Sequence, residues 1–514
     1  MKGESRTIKS LKNAEVALFY YVILLLVNLW SRKAFLDYIG VEVLGLNTTA
    51  SNLFGYLSLA EMGVGFAITY FLYKPLNEND YESLNKIVSL QGWIYRRVAT
   101  FIIVGAFILM CFFPWIFSDI KVPLWYAYVI FSVLMFDAML GYFINFKSIV
   151  LTADQKGYKI TRVTQGFKVF INILQIAFFP IVPNPFLFYI FTSILSSVFG
   201  SLWLSHVINK EYPWLKTRGY KGKSLLKEYP GILKKTKQLF VHKLGEAAHN
   251  TTNPIVMYAF STLSIVGAYS NYLIIIGQVH VIIGTLFSSV GAAVGSLIAT
   301  DDKPRIIRVF WELYDSRFCI SAIAIVCLFC LVHPFMTLWI GKQYILGKSF
   351  LLLMLADAFM NLSRRTVDQY INGHGLFQDI WAPALEAVIN IFGAVAFGYL
   401  WGFRGVLLGG ILAQLIIIYC WKPYMLFKKG LKTNPINYFV PVIKRHILLF
   451  VDLVLFFYLF RSIIPHTFDN YIEFFAYTAV VITISSAIII SEFYLFSQGV
   501  RDFIKRTTSL VCHW

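Results

Sequence analysis

Fourteen runs of about twenty mostly apolar residues follow one another along the chain, the first at 14–36 and the last at 473–496. Wound as an α-helix, such a run crosses the hydrocarbon core of a bilayer, about 30 Å thick. Hydrophobic residues make up 58% of the 514 and charged residues only 14%, against roughly a quarter in soluble domains. A water-soluble enzyme of this size needs more polar surface than that to cover its core, and a disordered chain lacks such apolar content. The first run is too long for the apolar stretch of a cleavable signal, and no small-residue cleavage site follows it. The expected fold class is an all-α polytopic membrane protein with about 14 transmembrane helices.

The few charges are strongly biased, giving a formal net charge of +18. With the N-terminus placed in the cytoplasm and the sides alternating, 38 of the 45 basic residues fall at inner segments and the helix ends beside them, and 7 fall outside. This is the positive-inside pattern, and it predicts an even number of spans with both termini cytoplasmic. The excess thus has a topological origin and does not point to a nucleic-acid partner.

The longest polar break, 209–231, is rich in Lys, Gly and Pro and reads as a basic cytoplasmic linker. It divides an N-terminal lobe of six spans (1–208) from a C-terminal lobe of six more (232–426), with two further spans and a tail in 427–514. The halves echo each other weakly. Val43–Asn47 followed by Leu59–Gly65 in the run 44–73 parallels Val266–Asn271 followed by Ser288–Gly295 in the run 264–298. Internal repeats of this kind build transporters whose substrate path lies between the lobes.

Motifs for other chemistry are weak. GKS at Gly222–Ser224 has Thr217 where a phosphate-binding loop needs its first glycine, and no strand precedes it. Cys327 and Cys330 form a CxxC inside an apolar run with no second ligand pair nearby, so they read as packing residues. The outer loops are short and carry Asp119, Asp469 and Glu473 singly, unlike the clustered carboxylates of a membrane glycosyltransferase. No cofactor, no metal site and no catalytic residues are expected. Gly291–Gly295 and Gly405–Gly409 are GxxxG pairs that suit close helix approach.

Polar residues inside the runs are costly and so mark function by default. Glu61 lies in the inner half of span two, where it either gates or pairs with an interfacial cation. Span seven carries Lys243, Glu246 and Asn250 at i, i+3 and i+7, on one face. That face lines a cavity or holds an internal Lys–Glu pair. In span ten Asp357, Asn361, Arg364 and Asp368 share a face, and span eleven holds Glu386 and Asn390 at i and i+4. Arg32 ends span one and Arg404 opens span twelve. Cations converging from these helices would suit a phosphate or pyrophosphate: Arg32, Lys243, Arg364 and Arg404 as binding groups, Glu61, Glu246, Asp357 and Glu386 as gating or balancing groups, and Asn250, Asn361 and Asn390 as polar lining.

The stretch SRKAFLDYIGVEVLGLNTTASNLFGYLSLAEMGVGFAITYFLYKPL (31–76) resembles the opening of the polysaccharide (O-antigen type) flippases of the multidrug/oligosaccharidyl-lipid/polysaccharide exporter superfamily. LFVHKLG (239–245), VGAYSNY (266–272), PALEAVIN (383–390) with QD (378–379) upstream, and WKPYMLFKKG (421–430) resemble that family in the same order. The resemblance implies a plan of six, six and two helices. It also implies transfer of undecaprenyl-pyrophosphate-linked oligosaccharide units across the bacterial inner membrane by alternating access, without ATP hydrolysis. By the same resemblance Arg32 falls at a cavity arginine of the related lipid II flippases, and Lys243 matches a lysine of the family's span seven. Asn253 stands where the family often has Asp, which puts ion coupling at that place in doubt. The implied partners are the lipid-linked oligosaccharide, the bilayer, and the polymerase and glycosyltransferases of envelope polysaccharide synthesis. Three alternatives remain: a drug or metabolite antiporter of the same superfamily, which would want a net acidic cavity; a membrane glycosyltransferase or ligase; and a scaffold in an envelope-synthesis complex.

Overall fold

The structure, a computed structural model, describes residues 6–61, 63–217, 222–233, 236, 253–287, 294–295, 297–298, 302–376, 379, 381–463, 468 and 470–512. Every regular element among them is helical. Nine helices among the described residues are long and apolar enough to cross a membrane. Helices satisfy every backbone donor and acceptor internally, as the hydrocarbon core requires. The chain forms two compact units, Met1–Tyr258 with Thr262–Gly267, and Ala259–Ser261 with Ala268–Trp514.

The first unit contains α1 (Arg6–Tyr38), α2 (Val41–Ser58), α3 (Val64–Glu78), α4 (Tyr81–Cys111), α5 (Trp125–Phe143), α6 (Gly157–Phe178) and α7 (Pro185–Glu211). Polar caps set where the long helices begin. Asp80 accepts from the Ser83 amide at 3.0 Å to open α4, and Asn184 accepts from the Leu187 amide at 3.1 Å to open α7, with Pro185 in its first turn. The run 44–73, expected as one span, is two helices. Helix α2 gives way to a short 3₁₀ turn at Leu59–Glu61, and Gly63, whose φ of 93° belongs to the left-handed region, caps the start of α3. The basic segment after α7 packs back on this unit. Its short helix α8 (Gly222–Glu228) lies on α4 so closely that a Cβ on Gly222 would sit 2.2 Å from the Trp93 ring.

An ionic clasp ties the α1 end to the α6–α7 end of this unit. Lys9 and Lys156 hold Asp154 at 2.6 and 2.7 Å, and Lys156 also holds Glu211 at 2.8 Å. Lys159 pairs with Glu211 as well, and the Tyr212 hydroxyl donates to Asp154 at 2.9 Å. Burial alone would raise the Asp154 carboxyl, but the bonded ammonium groups of Lys156 and Lys9 outweigh it and hold it below its ordinary range.

The second unit contains most of α9 (Leu263–Leu286), then α10 (Lys303–Trp339), α11 (Lys348–Ser363), α12 (Arg365–Gly373) and α13 (Trp381–Trp401). It continues with α14 (Phe403–Gly430), α15 (Ile436–Ile463), α16 (Tyr471–Phe496) and α17 (Gln498–Cys512). Asp302 caps α10 by accepting from the Arg305 amide at 3.2 Å. The 37-residue α10 is the hub, packed by α11, α15, α16 and α17. The run 347–372 is interrupted by a turn at Arg364, which remains in right-handed helical geometry (φ −64°, ψ −24°). Gly405 and Gly409 do allow close approach: an added Cβ would meet the Phe397 carbonyl oxygen at 1.9 Å and the Ala394 nitrogen at 2.1 Å across the α13–α14 contact. Gly295 meets nothing within 4 Å, and Gly291 lies outside the described residues.

Candidate functional site

In the first unit the polar side chains surround a pocket of about 280 Å³ between α2, α5, α6 and α7. Asn47, Asp137, Lys168, Asn172, Gln175 and Tyr189 line it. Helix α1 reaches the same place, since Asn28 accepts from the Asn172 amide at 3.1 Å. Arg32 is one turn further on, on the same face, half-buried and facing Tyr189. Gln175 is fixed by donating to the Thr192 hydroxyl at 2.8 Å. Asp137 and Lys168 make no ion pair or hydrogen bond among the described residues, although each stands within a membrane-length helix.

Glu61 is elsewhere in this unit. Tyr142 donates to its carboxylate at 2.6 Å, and Tyr95, which packs edge-on against Tyr142 with ring centroids 5.4 Å apart, bonds the same group. Among the described residues the partners of Glu61 are thus two phenols and not an interfacial cation.

In the second unit the expected face of span ten becomes two i, i+4 pairs. Asn361 donates to the backbone and side chain of Asp357 at 3.1 and 3.4 Å, and Gln414 on α14 donates to the same carboxylate at 2.6 Å. The second pair, Arg364 with Asp368 at 3.8 Å, belongs to a larger group. Lys422 on α14 reaches Asp368 at 3.1 Å, and Arg365 and Arg317 lie within electrostatic range of it. Arg317 comes from α10, is only 4% exposed, and rests its guanidinium 4.4 Å from the Phe287 ring. The Nε atoms of Arg317 and Arg364 are buried with no hydrogen-bond partner among the described residues. Four cations therefore gather around one carboxylate.

The remaining expected residues are dispersed. Glu386 and Asn390 are both buried on α13, Asn390 completely and with neither amide atom hydrogen-bonded among the described residues. Arg404 is exposed, with its guanidinium 5.7 Å from the ring of its neighbour Phe403. Lys243, Glu246 and Asn250 lie outside the described residues. Three further residues belong to the polar groups: Asp137, Lys168 and Arg317. Arg317 and Lys168 were absorbed into the inner topological charge. Asp137 is a lone carboxylate in the apolar run FSVLMFDAMLGYF, a signal that intramembrane cost alone would have flagged.

Comparison with solved structures finds the same arrangement of long helices elsewhere. The fold is similar to that of the lipid II flippase MurJ in an inward closed conformation, with a TM-score of 0.67 and 16% identity over 96% of this chain and 100% of that one. It is also similar to an inward-facing multidrug resistance MATE family transporter of the MOP superfamily, with a TM-score of 0.54 and 13% identity over 77% of this chain and 92% of that one. No protein-family model and no curated protein sequence matches the chain. The fold is thus that of MOP-type transport proteins. Among the described residues no three His, Cys, Asp or Glu side chains come together to hold a metal ion.

Proposed function

We propose that this chain is a flippase that carries undecaprenyl-pyrophosphate-linked oligosaccharide repeat units from the inner to the outer leaflet of the bacterial inner membrane, supplying surface polysaccharide of the O-antigen and lipopolysaccharide type. The observation that carries the reading is the charge balance in the second unit, where Arg317, Arg364, Arg365 and Lys422 surround the single carboxylate of Asp368. Guanidinium forks match phosphate oxygens, and an ammonium adds a point charge. An exporter of organic cations would be better served by the opposite balance. The likeness to a lipid II flippase over nearly the whole chain favours a lipid-linked cargo.

In this reading the chain has fourteen spans in a six, six and two plan, both termini are cytoplasmic, and transport proceeds by alternating access. Arg364 holds the pyrophosphate with Arg317, while Arg32, Lys243 and Arg404 are further binding groups along the path. Glu61, Glu246, Asp357 and Glu386 balance or gate, and Asn250, Asn361 and Asn390 line the path. The polymerase and glycosyltransferases of polysaccharide synthesis are the expected partners. The test is surface glycan display in a strain that depends on this protein, with membrane insertion followed by immunoblot. Arg364→Ala and Arg32→Ala are expected to abolish display while the protein still inserts, and Arg317→Lys to retain more activity than Arg317→Ala. Normal glycan on cells carrying Arg364→Ala and Arg32→Ala would sink the assignment.

A further inference from the structure

A second cationic feature lies apart from the site above, on the first unit. A groove of about 820 Å³ opens between the ends of α1, α6 and α7. Lys12, Lys159, Arg162 and Lys210 stand along it, and Phe167, Phe170 and Trp203 form its apolar part. Each helix presents the same gradient on one face. Arg162, Gly166 and Phe170 follow at i, i+4 and i+8 on α6, and Lys210, Val207 and Trp203 run back along α7 at similar spacing. Going from Arg162 to Phe170, or from Lys210 to Trp203, moves about 10–12 Å along the helix axis. That is the distance from a headgroup region into the acyl chains. Gly166 keeps the floor open: a Cβ there would approach the Tyr20 hydroxyl at 3.2 Å.

The charges do not cancel inside the groove. Of its two carboxylates, Glu211 is already neutralised by Lys156 at 2.8 Å and by Lys159. Glu15 makes no ion pair among the described residues and shares the groove lining with Arg162, Lys210 and Lys12, the last of which lies 5.9 Å from the Tyr158 ring. Phe170 and Trp203 are each 58% exposed, an apolar surface beside a cationic one. A basic rim on the inner side of a membrane bundle, continuous with an apolar trough, complements a ligand with an anionic head and hydrocarbon tails.

We propose that this groove is a binding site for an anionic phospholipid of the inner leaflet. The phosphate sits between Arg162 and Lys210, and the acyl chains lie along Phe170 and Trp203. The site is independent of the transported cargo. It gives the first unit a fixed lipid contact at the ionic clasp, which shares Lys159 and Glu211 with the groove wall.

Native mass spectrometry of the purified full chain, titrated with phosphatidylglycerol or phosphatidylethanolamine, tests this. The wild type is expected to retain phosphatidylglycerol preferentially. Arg162→Ala with Lys210→Ala is expected to lower that retention by about tenfold or more, given the contribution of each interfacial cation. Lys223→Ala with Lys227→Ala removes the same charge from the exposed face of α8 and is expected to leave retention unchanged. Phe170→Ala with Trp203→Ala is expected to weaken the diacyl lipid. Equal loss in the Lys223/Lys227 control, or no loss in the Arg162/Lys210 variant, would overturn the proposal. So would a thermal shift by soluble glycerol phosphate as large as that by phosphatidylglycerol, since the site would then take a free anion and not a lipid. The Arg162/Lys210 and Phe170/Trp203 pairs are exposed and outside the clasp, so unchanged unfolding temperatures separate lost binding from lost fold.

Discussion

The two units treat polar groups within their helices in different ways. In the second, several charged groups inside the bundle are tied to partners on other helices. Arg445 meets Asp315 at 2.6 Å and Ser497 donates to the same carboxylate at 2.5 Å; Gln414 holds Asp357 at 2.6 Å; Lys422 and Arg364 hold Asp368. In the first, Asp137 and Lys168 line a small pocket without ion pairs among the described residues, and Arg32 faces a tyrosine. A paired buried charge specifies packing, because removing one partner strands the other. A polar group facing open space remains available to water or cargo. In the second unit the pairs at Asp315 and Asp368 join helices, and around Asp368 the cations outnumber the carboxylate.

The sharpest way to break this contrast is to strand one half of a structural pair. Asp315 is 1% exposed in its side chain and lies at the meeting of α10, α15 and the start of α17. Asp315→Ala leaves the Arg445 guanidinium uncompensated and is expected to cost about 3–5 kcal/mol. Thermal unfolding in detergent, followed by intrinsic fluorescence, measures it. Adding Arg445→Met to Asp315→Leu is expected to recover most of that loss, because replacing both charges by apolar groups removes the stranded one. If the single variant unfolds like wild type, the pairing is not what holds α15 to α10.

A different balance is expected at Asp452 and Glu492. Asp452 is fully buried on α15, and neither of its carboxyl oxygens receives a hydrogen bond among the described residues. Its neighbour is the Glu492 carboxyl on α16. No ion pair ties Asp452 to a cation among the described residues. Asp452→Asn therefore removes no salt bridge, and its expected cost is under about 1.5 kcal/mol in the same unfolding experiment, well below that of Asp315→Ala. A loss as large as that at Asp315 would mean that a cation compensates this pair.

The clasp of the first unit should respond to acid. The Asp154 carboxyl titrates below its ordinary value of 3.8 in the folded chain, since its ammonium partners outweigh its burial. A depressed carboxyl contributes stability that is fully present above the unfolded value and is lost as pH falls through the folded one. Lys156 is shifted the other way: burial would lower it, but its bonds to Asp154 and Glu211 raise it, so its contribution fades only at the alkaline end. Amide protection over residues 149–160, measured by mass spectrometry relative to the intrinsic exchange rate at each pH, is expected to fall below pH 3.8 in the wild type. In Asp154→Asn it should already be lower at neutral pH and should lose most of that acid step.

How much of this was legible depends on the physics of each feature. The helical class followed from run length, because the bilayer thickness fixes how long an apolar helix must be. The break in the run 44–73 was not legible, since apolarity continues through Leu59–Gly65 while Gly63 turns left-handed. Spacing did place Asp357 with Asn361 and Arg364 with Asp368, because i, i+4 neighbours meet on any helix. It did not supply their partners Gln414 and Lys422, which come from another helix and which no local pattern encodes. Arg317 was hidden for the same reason: counted along the chain it is one more inner cation, and only tertiary packing on Phe287 sets it apart.

The smallest effects on stability, and the most informative for function, are expected in the first unit's pocket. Asp137→Asn and Lys168→Gln break no ion pair among the described residues and fill no packed space, so each is expected to change stability by less than about 0.5 kcal/mol. Transport is another matter if the pocket is water-filled and faces cargo. Lys168→Gln then removes a cation from the pocket and is expected to lower surface glycan display, while Asp137→Asn removes a competing anion and is expected to preserve or raise it. The two substitutions are nearly isosteric with the native side chains, so opposite signs in display at equal expression would tie the pocket's charge, and not its shape, to transport. Display unchanged in both, with unfolding temperatures also unchanged, would leave Asp137 and Lys168 as tolerated surface charge and leave the proposed anion site to the cluster around Asp368.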